Sequence, residues 1–521
     1  MSETTANRQI VRAAGVVMVG FVLSSLAGLV NQVLVSRAFG TSADLDAFFA
    51  ANRLTETLFS LMAGGALASA FLPTFTSFLT RDDRRGAWRL ASAVANLVLL
   101  VLGLVSTLCW LAAPWLVRNV LAPGFDDPEQ VRLTVSLLRV MLISPVIFSM
   151  SGLLMAALNA HRHFALPALA PAFYRIGMII SVLVCVPRYG IHGLAWGAVL
   201  GAVMHLAIQL PALRGIGARY EFRLGFREPT VQHVGRLMAP RILGAAVVQI
   251  NFLVNTIIAS GQPEGSVAAI TYALQVMIMP QAVIAQAIAI AALPTFSAQV
   301  ARGKLDEMRA SLANTLRGVI FLSLPASLGL ILLRHPVIVL LLQRGEFTTG
   351  STELVAWALL WYAAGLIGHS VLEIIVRAFY AMQDTRTPVI VGALAMSLNI
   401  VFSLIFSAWF ARIGWAPHGG LALANSLATA LECFILLWMM RRRLGGLDLR
   451  RLRRGLAASV AATITMGVAL LVWLTISEGS SMWLIGGAGV AIGAAVYWLV
   501  ALALGAPEAR QLPGILRQRE T

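Results

Sequence analysis

Apolar runs of about 20 residues, the length that carries an α-helix across a bilayer, follow one another along nearly the whole chain with only short polar turns between them. They predict spanning helices near residues 11–38, 46–79, 88–115, 131–160, 166–187, 191–212 and 236–260. Seven more are predicted near 266–299, 310–334, 352–381, 388–411, 419–440, 455–477 and 481–505. The expectation is an all-α polytopic membrane protein with about 14 transmembrane helices, numbered below as first to fourteenth spans. Punctuation inside the runs marks candidate hinges. Ser24-Ser25-Leu26-Ala27-Gly28 in the first span, Gly64-Gly65 in the second, Pro145 in the fourth and Pro280 in the eighth can each kink a helix. The same residues also serve plain close packing of neighbouring helices.

The punctuation repeats. Pro73-Thr74-Phe75 returns as Pro294-Thr295-Phe296, Pro167 as Pro388, Ala160 as Ala381 and Gly40 as Gly261, each pair 221 positions apart. Chance matches would scatter over many offsets, so one shared offset predicts a duplicated fold. It carries six spans onto six, an even number, which gives both halves the same orientation: parallel repeats about an axis along the membrane normal. The predicted organisation is an N-terminal lobe at 1–213, a basic linker at 214–235, a C-terminal lobe at 236–443, and a helix pair with its tail at 444–521. That last pair has no counterpart in the repeat, and its Ala, Gly, Leu and Val content predicts a lipid-facing hairpin. Paired bundles of this kind place a substrate path at the repeat interface, so the expected activity is transport of something bulky.

Charge gives the orientation. Of the 521 residues, 59% are hydrophobic and 12% charged, with a formal net charge of +16. The basic residues collect in alternate loops: Arg81, Arg84 and Arg85; Arg214, Arg219, Arg223 and Arg227; Arg302, Lys304 and Arg309; Arg441 to Arg443 with Arg450, Arg451, Arg453 and Arg454. Those loops are expected on the cytoplasmic side. An even span count then puts both termini there too, with Arg8 and Arg12 at one end and Arg510, Arg517 and Arg519 at the other. Positive charge dispersed over short loops offers no reading surface for nucleic acid. Cys109, Cys185 and Cys433 stand singly within predicted helices, so they read as packing residues, with neither a disulfide framework nor a metal site indicated. The first span has no short apolar core followed by a small-residue cleavage site and is expected to be retained.

Ionisable residues inside the apolar runs are the sharpest functional signal, because each costs several kcal/mol unless it meets water or a partner. They are Asp46, Arg53, Glu56, Arg175, Arg241, Glu373 and Arg377. Arg53 and Glu56 are three apart, Glu373 and Arg377 four apart, so each couple can pair along a helix face. Arg175 and Arg241 have no acid within a turn, and a guanidinium in a bundle interior is suited to a phosphate. Simpler readings stand beside these: Arg241 near a helix end can snorkel, the couples can be structural ion pairs, and Asp46 can serve a helix N-terminus. Gln249, Asn251 and Asn255 on the seventh span and Gln275, Gln281 and Gln286 on the eighth are interhelical glue or the lining of a polar cavity. The loops contain no phosphate-cradling glycine loop, nucleophile elbow or His-Glu metal motif. The chain is therefore expected to be no enzyme, to need no cofactor, and to draw its energy from an ion gradient, the membrane potential or consumption of product.

A set of short motifs resembles one family. Ser36-Arg37-Ala38-Phe39-Gly40 with Asp46-Ala47-Phe48, Ala122-Pro123-Gly124-Phe125, Leu158-Asn159-Ala160-His161-Arg162-His163-Phe164, Gln249-Ile250-Asn251, Arg344-Gly345-Glu346-Phe347 and Phe379-Tyr380-Ala381-Met382-Gln383-Asp384-Thr385-Arg386-Thr387-Pro388 are similar to the MurJ (MviN) lipid II flippases. These belong to the multidrug/oligosaccharidyl-lipid/polysaccharide exporter superfamily. The resemblance covers nearly the whole chain. It implies two six-helix lobes plus two helices in the bacterial cytoplasmic membrane. The implied activity is alternating-access movement of undecaprenyl-pyrophosphate-linked peptidoglycan precursor from the inner to the outer leaflet. Monovalent cation or membrane-potential coupling, and cell-wall synthesis proteins as partners, come with it. A same-fold exporter of another polyprenyl-linked glycan or an amphipathic small molecule is the alternative. Studied members carry arginines at positions matching Ser25, Asn31, Phe59, Ser60 and Gln275, all uncharged here. Arg53, Arg175, Arg241 and Arg377 are the expected replacements, with Asp46, Gln249, Asn251 and Gln275 as further cavity candidates. Asn255 stands where some members have an aspartate implicated in cation binding, and with Asn399 it is the candidate cation site.

Overall fold

The computed structural model describes the backbone of residues 3–62, 66–446 and 449–510. Gly64-Gly65, and the side chains of Arg8, Arg12, Arg450, Arg451, Arg453, Arg454, Arg517 and Arg519, lie outside what it describes. Thirteen helices among the described residues are long and apolar enough to cross a membrane. The remaining predicted span, the second, consists of Ala43–Met62 and Ala66–Thr80. Its first helix carries Asp44, Asp46, Arg53 and Glu56, which makes it a poor membrane helix by composition and a candidate lining element by chemistry. The multi-pass all-helical architecture expected from the apolar runs is present.

Two of the candidate hinges have visible consequences. Pro280 removes a backbone donor, and the eighth span passes immediately from Ser266–Gln281 into a π-turn at Ala282–Gln286 before resuming as Ala287–Ala301. The fourth span is offset at Leu142, between Pro128–Met141 and Ile143–Ala160, three residues before Pro145. Ser24 to Gly28 leave the first span unbroken within Glu3–Phe39; Ser25 donates its hydroxyl to Phe21 O at 2.9 Å.

The repeat is written into the backbone as well as the sequence. Arg162 and Gln383, again 221 apart, both take positive φ, 62° and 60°, as do Asp82 at 56° and Gly303 at 70°. Each sits in a helix-ending turn closed by a bond back across five residues. His163 N donates to Leu158 O at 2.9 Å and Asp384 N to Phe379 O at 3.0 Å; Asp83 N donates to Phe78 O at 3.0 Å and Lys304 N to Gln299 O at 2.9 Å.

The chain divides into two compact units, Met1–Val267 with Gly345–Phe347, and Ala268–Arg344 with Thr348–Thr521. In the first, the first span packs along the fifth, Ala165–Val184, which packs in turn on the sixth, Ile191–Gly215. Glycine sets the first crossing: a Cβ on Gly20 would lie 2.4 Å from Ala168 O, so only a bare backbone lets the two helices approach this closely. The seventh span, Pro229–Ser260, packs on both helices of the second. The segment before it is docked on the third span, Arg84–Leu111: Tyr220 donates to Asn96 Oδ1 at 2.6 Å, Asn96 Nδ2 to Arg223 O at 2.9 Å, and Glu221 N to Ser92 Oγ at 3.0 Å.

In the second unit the twelfth span, His418–Arg443, lies against the tenth, Thr349–Ala381, and the eleventh, Arg386–Arg412. The thirteenth and fourteenth, Leu449–Ile476 and Met482–Ala503, pack on each other, and the thirteenth on the ninth, Leu305–Leu332, around Phe321, Leu333, Met466, Leu470 and Tyr497. Past the last span, Glu508 pairs with Arg317 of the ninth, both largely buried. Val460, Ile464, Val468 and Leu471 of the thirteenth span are exposed.

The turn before the eleventh span is closed by Asp384. Its carboxylate accepts from Thr387 Oγ1 at 2.6 Å, from Arg386 N and Thr387 N at 3.1 and 3.0 Å, and pairs with Arg443 Nη2 at 2.6 Å. The Thr387 hydroxyl first, then its amide and the Arg443 guanidinium, hold the carboxyl below its ordinary value against the opposing effect of burial. A carboxyl depressed in the folded state stabilises it above the unfolded value and loses that contribution as pH falls through the folded one. Protection of the amides from 382 to 387 in hydrogen exchange should therefore stay flat at neutral and mildly acidic pH and fall only at pH below the ordinary carboxylate range. Asp384→Asn should remove that acid step; an unchanged step would assign it elsewhere.

Candidate functional site

The charged face of Ala43–Met62 and the seventh span build one polar cluster in the first unit. Arg53 Nη1 reaches Glu56 Oε2 at 3.0 Å, with 18% of the Arg53 side chain and 48% of that of Glu56 exposed. Asn52 Nδ2 donates to Glu56 Oε1 at 2.7 Å. Arg53 Nε donates to Thr256 Oγ1 at 3.3 Å, and its guanidinium lies 5.3 Å from the Phe252 ring centroid. The spacing of three residues thus yields the ion pair read from sequence, and the seventh span adds Thr256 and Phe252, which sequence spacing does not reveal. A guanidinium held by two partners keeps further N–H donors for an anion.

Asp46, one helical turn from the start of the same helix, is buried and accepts from Gly265 N at 2.7 Å. Beside it Ala43 N donates to Glu264 Oε1 at 2.8 Å, across the repeat offset of 221. Asp46 thus anchors the terminus of its helix. On the seventh span Asn251 and Asn255 are buried, with Asn255 Nδ2 at 3.5 Å from Asn251 Oδ1, and Gln249 is half-buried. Arg241 is exposed toward the beginning of that helix.

Arg175 is placed by the close crossing of Gly20 and Ala168. Two turns further along these parallel helices, Gly28 comes beside Arg175, and a Cβ there would be 3.7 Å from Nε. The guanidinium lies 5.6 Å from the Tyr174 ring centroid, the residue is exposed, and among the described residues no acid pairs with it. It therefore carries an uncompensated positive charge beside the first-span stretch from Ser25 to Asn31.

In the second unit Glu373 and Arg377 close on each other at 2.8 Å, about three-quarters buried. Gln275 is exposed on the eighth span. Asn399 is fully buried and accepts from Ser403 Oγ at 3.1 Å. Asn255 and Asn399 belong to different units. Two polar features of this unit went unread in the sequence: His369, whose Nε2 is 3.1 Å from Asn425 Oδ1 and 3.3 Å from Thr429 Oγ1, and Glu432. A lone acid in the run from Leu427 to Leu437 was the available signal for the latter.

The family model described as Lipid II flippase MurJ matches residues 35–491. The chain belongs to the MurJ family. Among curated members it is 30% identical over 427 residues to the lipid II flippase MurJ of Burkholderia cenocepacia, covering 81% of this chain and 82% of the relative. A probable lipid II flippase MurJ from Vibrio cholerae is 31% identical over 450 residues, covering 84% of each. Among solved structures, a lipid II flippase MurJ in an inward closed conformation aligns with TM-score 0.79 at 23% identity, covering 93% of this chain and 97% of that one. An inward-facing multidrug-resistance transporter of the MATE family and MOP superfamily aligns at TM-score 0.68 and 16% identity, covering 81% and 94%; these two likenesses speak for the fold alone.

The MurJ motifs have a structural use in this chain. Gly345 and Glu346 dock on the end of the first span: Glu346 N donates to Arg37 O at 2.9 Å. Cβ atoms on Gly345 and Gly40 would each lie 2.4 Å from a carbonyl oxygen, of Arg37 and Glu346 respectively. The repeat-equivalent contact joins Gly124 to Gly261, where a Cβ on Gly124 would be 2.3 Å from Gly261 Cα.

Proposed function

We propose that this protein is a lipid II flippase of the bacterial cytoplasmic membrane. It moves the undecaprenyl-pyrophosphate-linked precursor from the inner to the outer leaflet by alternating access and catalyses no bond chemistry. The match to the lipid II flippase family through residues 35–491 carries this reading. The physics suits it: a pyrophosphate head group crossing about 30 Å of hydrocarbon needs a wet cationic route while its polyprenyl tail stays in lipid. Arg175, with no acid partner among the described residues, and Arg53, with spare donors, are the residues of the first unit suited to meet a diphosphate. The arginine-rich loops face the cytoplasm with both termini, and Asn255 and Asn399 serve coupling to a monovalent cation or the membrane potential.

The test is depletion of the protein in a cell that has no other flippase, followed by leaflet-resolved measurement of lipid II. Accumulation in the inner leaflet, reversed by re-expression, is the expected result; an unchanged outer-leaflet pool removes the proposal. One observation favours a second reading, export of a different polyprenyl-linked glycan or amphipathic molecule: Ser25, Asn31 and Gln275 are uncharged where the resemblance expects arginine. Tighter binding of a cationic amphiphile than of a pyrophosphate-linked lipid by the purified protein would decide for it.

A further inference from the structure

The twelfth span holds one carboxyl group along its length, Glu432, in the apolar stretch Ala430-Leu431-Glu432-Cys433-Phe434. The residue is 6% exposed. From the eleventh span Gly392 faces it, with space for a Cβ only 3.1 Å from Glu432 Oε1, and that span has no titratable residue between Arg386 and Arg412. From the tenth, Gly368 lies against Ala430, which brings the residues from His369 to Arg377 to the level of Glu432 and the turns around it. His369 is engaged with Asn425 and Thr429, and Glu373 and Arg377 are closed on each other. On its own helix the nearest titratable neighbour is Cys433; Arg441, Arg442 and Arg443 lie at the exposed end, with Arg443 committed to Asp384. Among the described residues the Glu432 carboxyl makes no hydrogen bond and no ion pair.

An ionised carboxylate placed there would cost several kcal/mol, and no nearby cation offsets it. The packing around Glu432 and Gly392 therefore favours the neutral acid, and a rearrangement that lets water reach this contact lets the proton go. A metal cation fits less well, since the oxygens one and two turns back, on Thr429 and Asn425, are already taken by His369. We propose that Glu432 is a proton-exchange site of the second unit. This deepens the transporter reading by naming the proton as an ion whose binding follows the conformational cycle, and it rests on that reading only for the coupling.

Infrared difference spectroscopy of the full-length protein in lipid, titrated from mildly acid to mildly alkaline pH, tests it. The native protein should show a protonated carboxyl band that disappears as pH rises, and Glu432→Gln should lose that band. Glu432→Asp should keep it. Gly392→Ala, which crowds the carboxyl without removing it, should shift its midpoint. The same titrating band in Glu432→Gln, or a native band displaced by sodium at constant pH, would overturn the proposal. No cargo enters this measurement, so it stands or fails separately from a lipid II assay.

Discussion

Arg175→Ala is expected to abolish growth of cells that depend on this protein as their flippase, with the protein still present in the membrane at native levels. Arg175 is exposed and makes no ion pair among the described residues, so truncation breaks no ion pair and gives up only the contact with the Tyr174 ring. The expected loss, on the proposed role, is a charge-assisted bond to a phosphate, about 2 kcal/mol, or about thirty-fold in affinity. Arg175→Lys should recover part of the activity, because an ammonium supplies charge without the planar fork. Gly28→Leu should reproduce the defect without touching the charge, since the space beside Arg175 Nε depends on the missing side chain. Native growth of Arg175→Ala would remove Arg175 from the substrate path; loss in Arg175→Ala with native growth of Gly28→Leu would show that the first-span contact does not position it.

Gly345→Ala carries the largest expected effect on stability. Gly345 has φ 60°, where an L side chain costs about 1 kcal/mol, and its Cβ would enter the Arg37 carbonyl at 2.4 Å, adding about 2 kcal/mol of overpacking. The sum is a sizeable share of the about 10 kcal/mol that holds a typical domain folded. Gly217 supplies the control, with φ 66° and nothing within 4 Å of its Cβ: Gly217→Ala should show the backbone cost alone. Gly124→Ala should be costly too, through the Gly261 backbone, without positive φ. Thermal midpoints of the three variants in detergent should fall in the order Gly345 and Gly124 well below Gly217. Equal midpoints for Gly345→Ala and Gly217→Ala would show that the docking contact yields freely.

Legibility from sequence varied with the range of the interaction. Arg53 with Glu56 and Glu373 with Arg377 were readable because helical spacing alone brings them together. Thr256 and Phe252 were not, because their approach to Arg53 depends on how the seventh span lies on the second. His369 and Glu432 show the same limit, each defined by what a neighbouring span presents. Asp46 was readable as a helix-terminus acid, while its acceptor role toward Gly265 required two distant chain segments to meet.

Apolar run length determined, from sequence alone, a multi-pass all-helical membrane protein of about 14 spans, and the 221-residue offset located its matching turns. Each is a local or periodic property, and a bilayer tolerates few solutions: every apolar run of sufficient length must become a helix that satisfies its own backbone. Which guanidiniums gain a further partner from a neighbouring span was decided by tertiary structure. Arg53, given Glu56 by helical spacing, gains Thr256 only where the seventh span lies on the second, while Arg175 emerges beside Gly28 with no acid partner among the described residues. The Gly20 contact with Ala168 sets how closely the first span runs past Arg175, and how near two helices come is a matter of which small residues face each other after folding.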